Sequence, residues 1–513
     1  MVFFAQRINS FTRSEKFLIK ESIKLIHTNS DNEEDKGYVK INGRRVLIKK
    51  AELLSLLEAS KLKAKEDFLK KRFNSDYMTA IQSLLNGVFV AEGSWSGSFH
   101  SSTSHRFTPK FSIGQNASDD SIKLFSLLWA ILDCKLVWNI SKTSKLNYHI
   151  QLVSTNFGYI VNTLIPYFSW TYGEKFTAIS KLLRLYELSN IDTVAAKFET
   201  ICLVYSLTNQ GKNRFVSLKE KLISSIGEGS LAAKQQPLAV DLSQSKLSAM
   251  IDVRNKEFKK KYSDNNLPMN LLFILGLFLG DGSMYIRIRD TGKGLTFIPK
   301  FEIKQKYTPI NEGFIDKVCE FLLANGVTAS LRVDSNYVLC VVEGIDNVCS
   351  KLLPLLEKHL EFFFWKERKL KMTRQFANLI SLDTRNLLLV KHLLIKTIYS
   401  IDHDRRFSVQ HWINRINEIF KNKFVKNISG EFYISPVKNR TGNQTGWSVF
   451  LPEFLFLTNK DNLPRTKYFF FVNYEDKDAT LIAAIEWRDT AVVNWLLENG
   501  YNISPEIEQF DEE

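Results

Sequence analysis

Two acids stand at matching places in two similar stretches. Glu92 closes LLNGVFVAE, which starts at Leu84, and Asp281 closes ILGLFLGD, which starts at Ile274. Each follows an apolar run, where an unpaired carboxylate is costly. Each precedes a glycine, Gly93 or Gly282, at the position where a left-handed residue commonly ends a helix. The acids would then lie at helix C-termini, where the macrodipole opposes negative charge. Two carboxylates brought together need a cation, and oxygen ligands of this kind suit Mg²⁺. Beside a nucleic acid, that pairing points to metal-assisted phosphodiester hydrolysis.

What would bring them together is the run before each acid. Gly276 and Gly280 are spaced i, i+4, and Gly87 and Ala91 hold the same places earlier. On a helix such residues share a face. Glycine inside a helix costs about 1 kcal/mol relative to alanine. A smooth face offsets that cost by admitting another backbone. The obvious partner is the matching helix, because the chain repeats itself. Gly93 falls on Gly282, and TPKFSIGQ (from Thr108) falls on IPKFEIKQ (from Ile298). YHIQLV falls on YVLCVV, and LIPYF on LLPLL, in the same order at a near-constant offset. So long a period means a duplicated domain.

Each copy reads as a short apolar helix, two alternating strands, a helix, another strand and further helices. That is an α+β unit with helices on one face of an antiparallel sheet. The units are placed at residues 81–205 and 265–385, with a polar linker at 206–264, an N-terminal extension at 1–80 and a C-terminal extension at 386–513. In the second unit, Tyr285, Arg287 and Arg289 alternate with apolar residues, as do Lys300, Glu302, Lys304 and Lys306. Such a face could lie in a major groove, with Arg on guanine edges and Lys on phosphates. The first unit's counterparts, Ser96, Ser98, His100, Lys110 and Ser112, are far less charged. Two unlike faces would read an asymmetric site.

The totals agree with this. The 513 residues exceed one hydrophobic core. The net charge of +14 favours a polyanionic partner. Five cysteines, with no C-x-x-C pair, indicate neither a disulfide framework nor a zinc site. No apolar run reaches the roughly 18–20 residues of a membrane span. The N-terminus lacks the pattern of a secretory signal, while a transit peptide stays open.

Taken together, these residues resemble the LAGLIDADG homing endonucleases. LNGVFVAEG and ILGLFLGDG are similar to the family's motif helix, and PKFSIGQ and PKFEIKQ to its P-x-F-x-I-x-Q strand. The resemblance implies two αββαββα units forming a pseudo-symmetric saddle on double-stranded DNA. It makes Glu92 and Asp281 the metal-binding acids. Gln115 and Gln305 would lie near the scissile phosphate, and Lys175 and Lys369 would be central lysines, with Lys366 competing for the second place. The chain departs from the motif at its sixth position, Val90 and Leu279, and at Asn86 in its second. The implied activity is Mg²⁺-dependent cleavage by a monomer at a long asymmetric site, leaving 3′ overhangs and promoting intron mobility. The implied setting is an organelle, a mitochondrion ahead of a chloroplast. The alternative is a maturase that binds its own group I intron RNA.

Overall fold

The computed structural model describes residues 36–41, 44–99, 107–133, 135–169, 173–191, scattered positions from 193 to 207, 269–292, 294–382, 388–401, 407–424, 433–452, 455 and 464–501. His100, the linker at 206–264 apart from Leu207, and the acidic end of the chain lie outside the described residues.

A hairpin, β1 (Lys36–Ile41) and β2 (Arg44–Lys49), and the helix α1 (Lys50–Lys71) precede the first repeated unit. That unit runs α2 (Ser75–Glu92), β3 (Gly93–Phe99), β4 (Phe107–Asn116), α3 (Asp119–Ile131), β5 (Val137–Lys142), β6 (Tyr148–Ser154), helical turns at 157–167 and α4 (Gly173–Leu188). The second runs α5 (Leu271–Asp281), β7 (Gly282–Asp290), β8 (Leu295–Lys306), α6 (Pro309–Ala324), β9 (Ser330–Asp334), β10 (Tyr337–Glu343), helical turns at 346–357 and α7 (Glu367–Ser381). After it come α8 (Leu388–Ile401), α9 (Val409–Phe424), β11 (Ile434–Lys438), β12 (Gln444–Phe450), β13 (Thr466–Phe470) and α10 (Lys477–Glu498).

Both units have an open, antiparallel four-stranded sheet with the same order, β3-β4-β6-β5 and β7-β8-β10-β9. The period-two pattern explains their inner faces. Phe297, Phe301 and Ile303 alternate into the core of the second unit, beside Met284 and Ile286. The helix α2 starts at Ser75, where Asn74 caps it by accepting from the Tyr77 amide at 3.0 Å. Nor is the segment before it detached. The β1 amides of Tyr38 and Lys40 donate to Leu146 and Ala117 carbonyls at 2.9 Å each. Leu53 and Leu57 of α1 are buried where that helix lies on α3. Cys319, Cys340 and Cys349 are free and buried. No helix among the described residues is long and apolar enough to cross a membrane.

The units meet through α2 and α5. A Cβ added at Gly87 would strike the Phe273 carbonyl and come within 2.9 Å of the Gly276 Cα. One added at Gly276 would strike the Leu84 carbonyl and come within 2.9 Å of the Gly87 Cα. At Gly280 it would strike the Ala91 methyl. The two backbones are therefore in contact, and only glycine permits it. Ser83 fixes the sliding register by donating to Asn270 Oδ1 at 2.6 Å, and the same oxygen caps α5 by accepting from the Phe273 amide at 2.9 Å.

One substitution type should consequently have opposite effects at two helical glycines. Gly276→Ala is expected to destabilise by about 2–4 kcal/mol through overpacking against backbone. Gly313→Ala, in α6 with open space around it, should stabilise by roughly 0.5–1 kcal/mol. Urea denaturation of the two variants measures both, and the same sign in each would contradict the contact.

Candidate active site at the meeting of two helix ends

α2 ends in Glu92 and α5 in Asp281, and each next residue opens a sheet. Gly93 and Gly282 are not left-handed caps. Both are extended, at φ −80° and −88°. Glycine is needed for space instead, since a Cβ at Gly93 would strike Phe89 and one at Gly282 would strike Phe278. The chain leaves each helix directly into a strand, and the phenylalanine one turn back lies where a side chain would go.

The carboxylates are drawn together by the helix contact. The Glu92 carboxylate lies against Gly280, with Oε1 3.3 Å from where a Cβ there would be, one residue before Asp281. Gln115 of β4 donates to Glu92 Oε1 at 2.8 Å, and Gln305 of β8 donates to Asp281 Oδ2. Each glutamine comes from the strand paired with the one that its acid leads into.

Two lysines answer the helix ends. Lys175, near the start of α4, donates to the Gly93 carbonyl. Lys366 donates to the carbonyls of Phe278 and Gly282, and its ammonium lies 4.5 Å from the centre of the Phe278 ring. These carbonyls carry the negative end of the helix dipole, so a cation is favoured there. The chain turns at Phe364, whose φ of 39° is rare for a bulky residue, two residues before Lys366. Lys175 and Lys369 are the expected pair, with Lys366 competing for the second place. Lys366 holds the equivalent position, and Lys369 lies further along, half-buried in the first turn of α7.

Burial dominates the electrostatics of all four groups. It raises both carboxyls. Asp281 is pushed from 3.8 to about 6, first by desolvation and then by the Glu92 charge, against the pull of Gln305 and both lysines. Glu92 is raised by desolvation, against Gln115, Lys366 and Lys175. Desolvation lowers Lys175, and it lowers Lys366 to about 7 with help from Lys369. Two desolvated carboxylates near enough to repel each other fit a divalent cation. Mg²⁺ in particular is held by one or two carboxylates, with water and phosphate oxygens completing the shell. Among the described residues no cluster of three or more His, Cys, Asp or Glu side chains exists, so a cage made of protein alone is not on offer.

The polar residues singled out on the two sheets differ in exposure. Arg287, Arg289, Lys304 and Lys306 are exposed on β7 and β8. Lys304 covers the Tyr337 ring, 3.6 Å from its centre. Lys300 differs from expectation. It is only 7% exposed, and it pairs with Glu343 at 3.0 Å and Glu302 at 3.8 Å. Tyr285 donates to Glu302 at 2.8 Å. Tyr285 and Glu343 both face Lys300 in register, so the lysine is held between two carboxylates, and Arg332 supplies the second positive charge at Glu343. In the first unit Ser98 is exposed, Ser96 and Lys110 are half-buried, and Ser112 is buried. Reading the sequence missed Arg332, on β9 and paired with Glu343, and Asn311, whose side chain accepts from the Glu174 amide at 3.3 Å and ties α4 to the second unit. Neither lies in a repeated motif.

No family model matches the chain, and no curated protein matches it. Solved structures do resemble it. The I-LtrWI LAGLIDADG homing endonuclease bound to target DNA gives a TM-score of 0.46 at 15% identity, covering 64% of this chain and 99% of that one. I-SmaMI bound to uncleaved DNA target in the presence of calcium ions gives 0.42 at 13%, covering 66% and 97%. The LAGLIDADG meganuclease I-AabMI bound to uncleaved DNA gives 0.41 at 15%, covering 58% and 91%. At TM-scores below 0.5 these likenesses carry no weight for activity, which has to be argued from the chain's own residues.

The site should cost stability when metal is chelated. The folded state disfavours ionised Asp281, so the penalty is present above about pH 6 and fades as pH falls toward 3.8, where the carboxyl is protonated folded or unfolded. In EDTA, Asp281→Asn is expected to stabilise by about 1–3 kcal/mol at pH 8. Urea melts across pH should show that gain vanish near pH 4. A gain independent of pH would contradict the electrostatic account.

Proposed function

We propose that this chain is a site-specific double-strand DNA endonuclease, hydrolysing phosphodiesters with Mg²⁺ at a long asymmetric target. One observation carries the reading. Two carboxylates, each held by a glutamine and flanked by a lysine, meet where two pseudo-symmetric helices end. Packing alone gives no reason for this, since an amide would fill the same space without the repulsion.

Glu92 and Asp281 would hold the ion, which when bound polarises a phosphoryl oxygen and makes water acidic enough to attack. Gln115 and Gln305 would hold the carboxylates in place, each by bonding one oxygen. Lys175 and Lys366 place positive charge where the transition state gains negative charge. The exposed Arg287, Arg289, Lys304 and Lys306 would grip one half of the target, and the nearly uncharged face around Ser96, Ser98 and Lys110 the other. The chain supplies both halves, so it would act as a monomer. An organellar genome as its setting rests on the family resemblance alone.

A library of randomised duplexes incubated with the protein and Mg²⁺, with cleaved ends sequenced, should yield one enriched site. On that site Glu92→Gln and Asp281→Asn should each cut a thousandfold or so more slowly while still binding, as loss of a metal's several kcal/mol implies. Cleavage by either variant at the wild-type rate would sink the assignment. Tight binding of intron RNA without any cleavage would instead favour the maturase. Arg287→Ala should weaken target binding and, if its contact is to phosphate, lower the salt slope by about one. An unchanged affinity would remove that face from the interface.

A further inference from the structure

The proposed cleavage chemistry makes no use of the chain's last folded layer. There β11, β12 and β13 form an antiparallel sheet in that order, with α10 on one face. Alternation assigns the faces. Ile434, Trp447, Val449 and Phe469 are buried toward α10, and the Phe469 ring lies 6.2 Å from that of Trp487. The other face presents Phe450, Tyr468 and Phe470, which are 57%, 57% and 39% exposed. The Tyr468 and Phe470 rings are 14° from parallel, with centroids 6.3 Å apart. Beside them the sheet is low. Gly446 pairs with Phe470, and Ser448 pairs with Tyr468 and Ser435.

Three large rings in water on one small sheet are a costly arrangement without a partner. Charge says which partner. The three strands and the turn at 439–443 contain no Asp or Glu, and exposed Lys438 and Arg440 stand at that turn, the end of the sheet where Gly446 pairs with Phe470. Rings beside cations suit the bases and phosphates of an unpaired strand, since every base has a π-face and every link a charge. A duplex keeps its bases stacked and offers only edges, which call for bidentate donors and acceptors that rings cannot supply. Ser435, Ser448 and Thr466 set hydroxyls among the rings, and a ribose 2′-OH can pair with them where deoxyribose cannot.

We propose that this sheet binds single-stranded RNA, with bases stacked on Phe450, Tyr468 and Phe470 and phosphates at Lys438 and Arg440. The surface is separate from the acid pair, so it would hold whether or not the chain cuts DNA.

The test uses the full-length protein and a fluorescent oligouridine about twelve nucleotides long. Anisotropy is read at physiological salt, with the deoxy strand of matching sequence alongside. Tyr468→Ala and Phe470→Ala are surface changes and should leave the melting temperature unaltered. Each should weaken RNA binding roughly fivefold to a hundredfold, the worth of one lost stack. Tyr468→Trp should restore it, and Arg287→Ala should leave the Tyr468 effect unchanged. The proposal is overturned if both alanine variants bind RNA as the parent does, or if the deoxy strand binds equally and loses as much. It is also overturned if the parent sediments as a dimer that Tyr468→Ala dissociates, because a second copy would then be the occupant.

Discussion

Where Gly87 meets Gly276, two helices touch backbone to backbone, and the position of every proposed reactive group follows from that contact. Glu92 lies five residues beyond Gly87, and Asp281 five beyond Gly276. At 1.5 Å per residue each acid is carried roughly 7.5 Å from the point of contact. Equal lengths on helices running side by side leave the carboxylates level. A bulky residue at either glycine would part the helices and lengthen the gap between the acids, with no change to the acids themselves. The sheets depend on the same point, since each begins on the residue after its acid.

The arrangement gathers charges that would each be unfavourable alone. Two carboxylates repel one another, at helix ends that already carry partial negative charge. Lys175 and Lys366 are desolvated to meet them, and both lose basicity in doing so. Strain of this sort, held in place by surrounding packing, is the usual condition of a site organised for chemistry rather than for stability. The glutamines matter for the same reason. Each donates an amide proton to its carboxylate and so offsets part of the cost of burying that charge.

Much of this was legible in the chain. The duplication, the small-residue faces and the acids after them are local patterns, and the structure puts those residues side by side. The alternating strands announced their inner faces equally well. Three features were not legible, each for a physical reason. The extended Gly93 and Gly282 look like helix caps in sequence, because the need for space beside Phe89 and Phe278 arises only once the helix has turned. Lys366 and Lys369 are three residues apart, and the chain's path into α7 brings Lys366 to the carbonyls at the end of α5. Lys300 has the alternation of a solvent-facing cation, yet Tyr285 and Glu343, brought alongside by strand pairing, cover it on that face.

The bond between Ser83 and Asn270 has one more implication. The repeat places Leu272 opposite Ser83 and Ile81 opposite Asn270, so neither half can make the bond with a copy of itself. A duplicated protein always risks like halves associating between neighbouring chains. Here a like-with-like dimer would bury a hydroxyl or an amide against an aliphatic side chain, which disfavours the wrong pairing at no cost to the right one. Two halves that began as equals have become mutually exclusive partners, and each sheet is then free to change its recognition surface without the other having to match it.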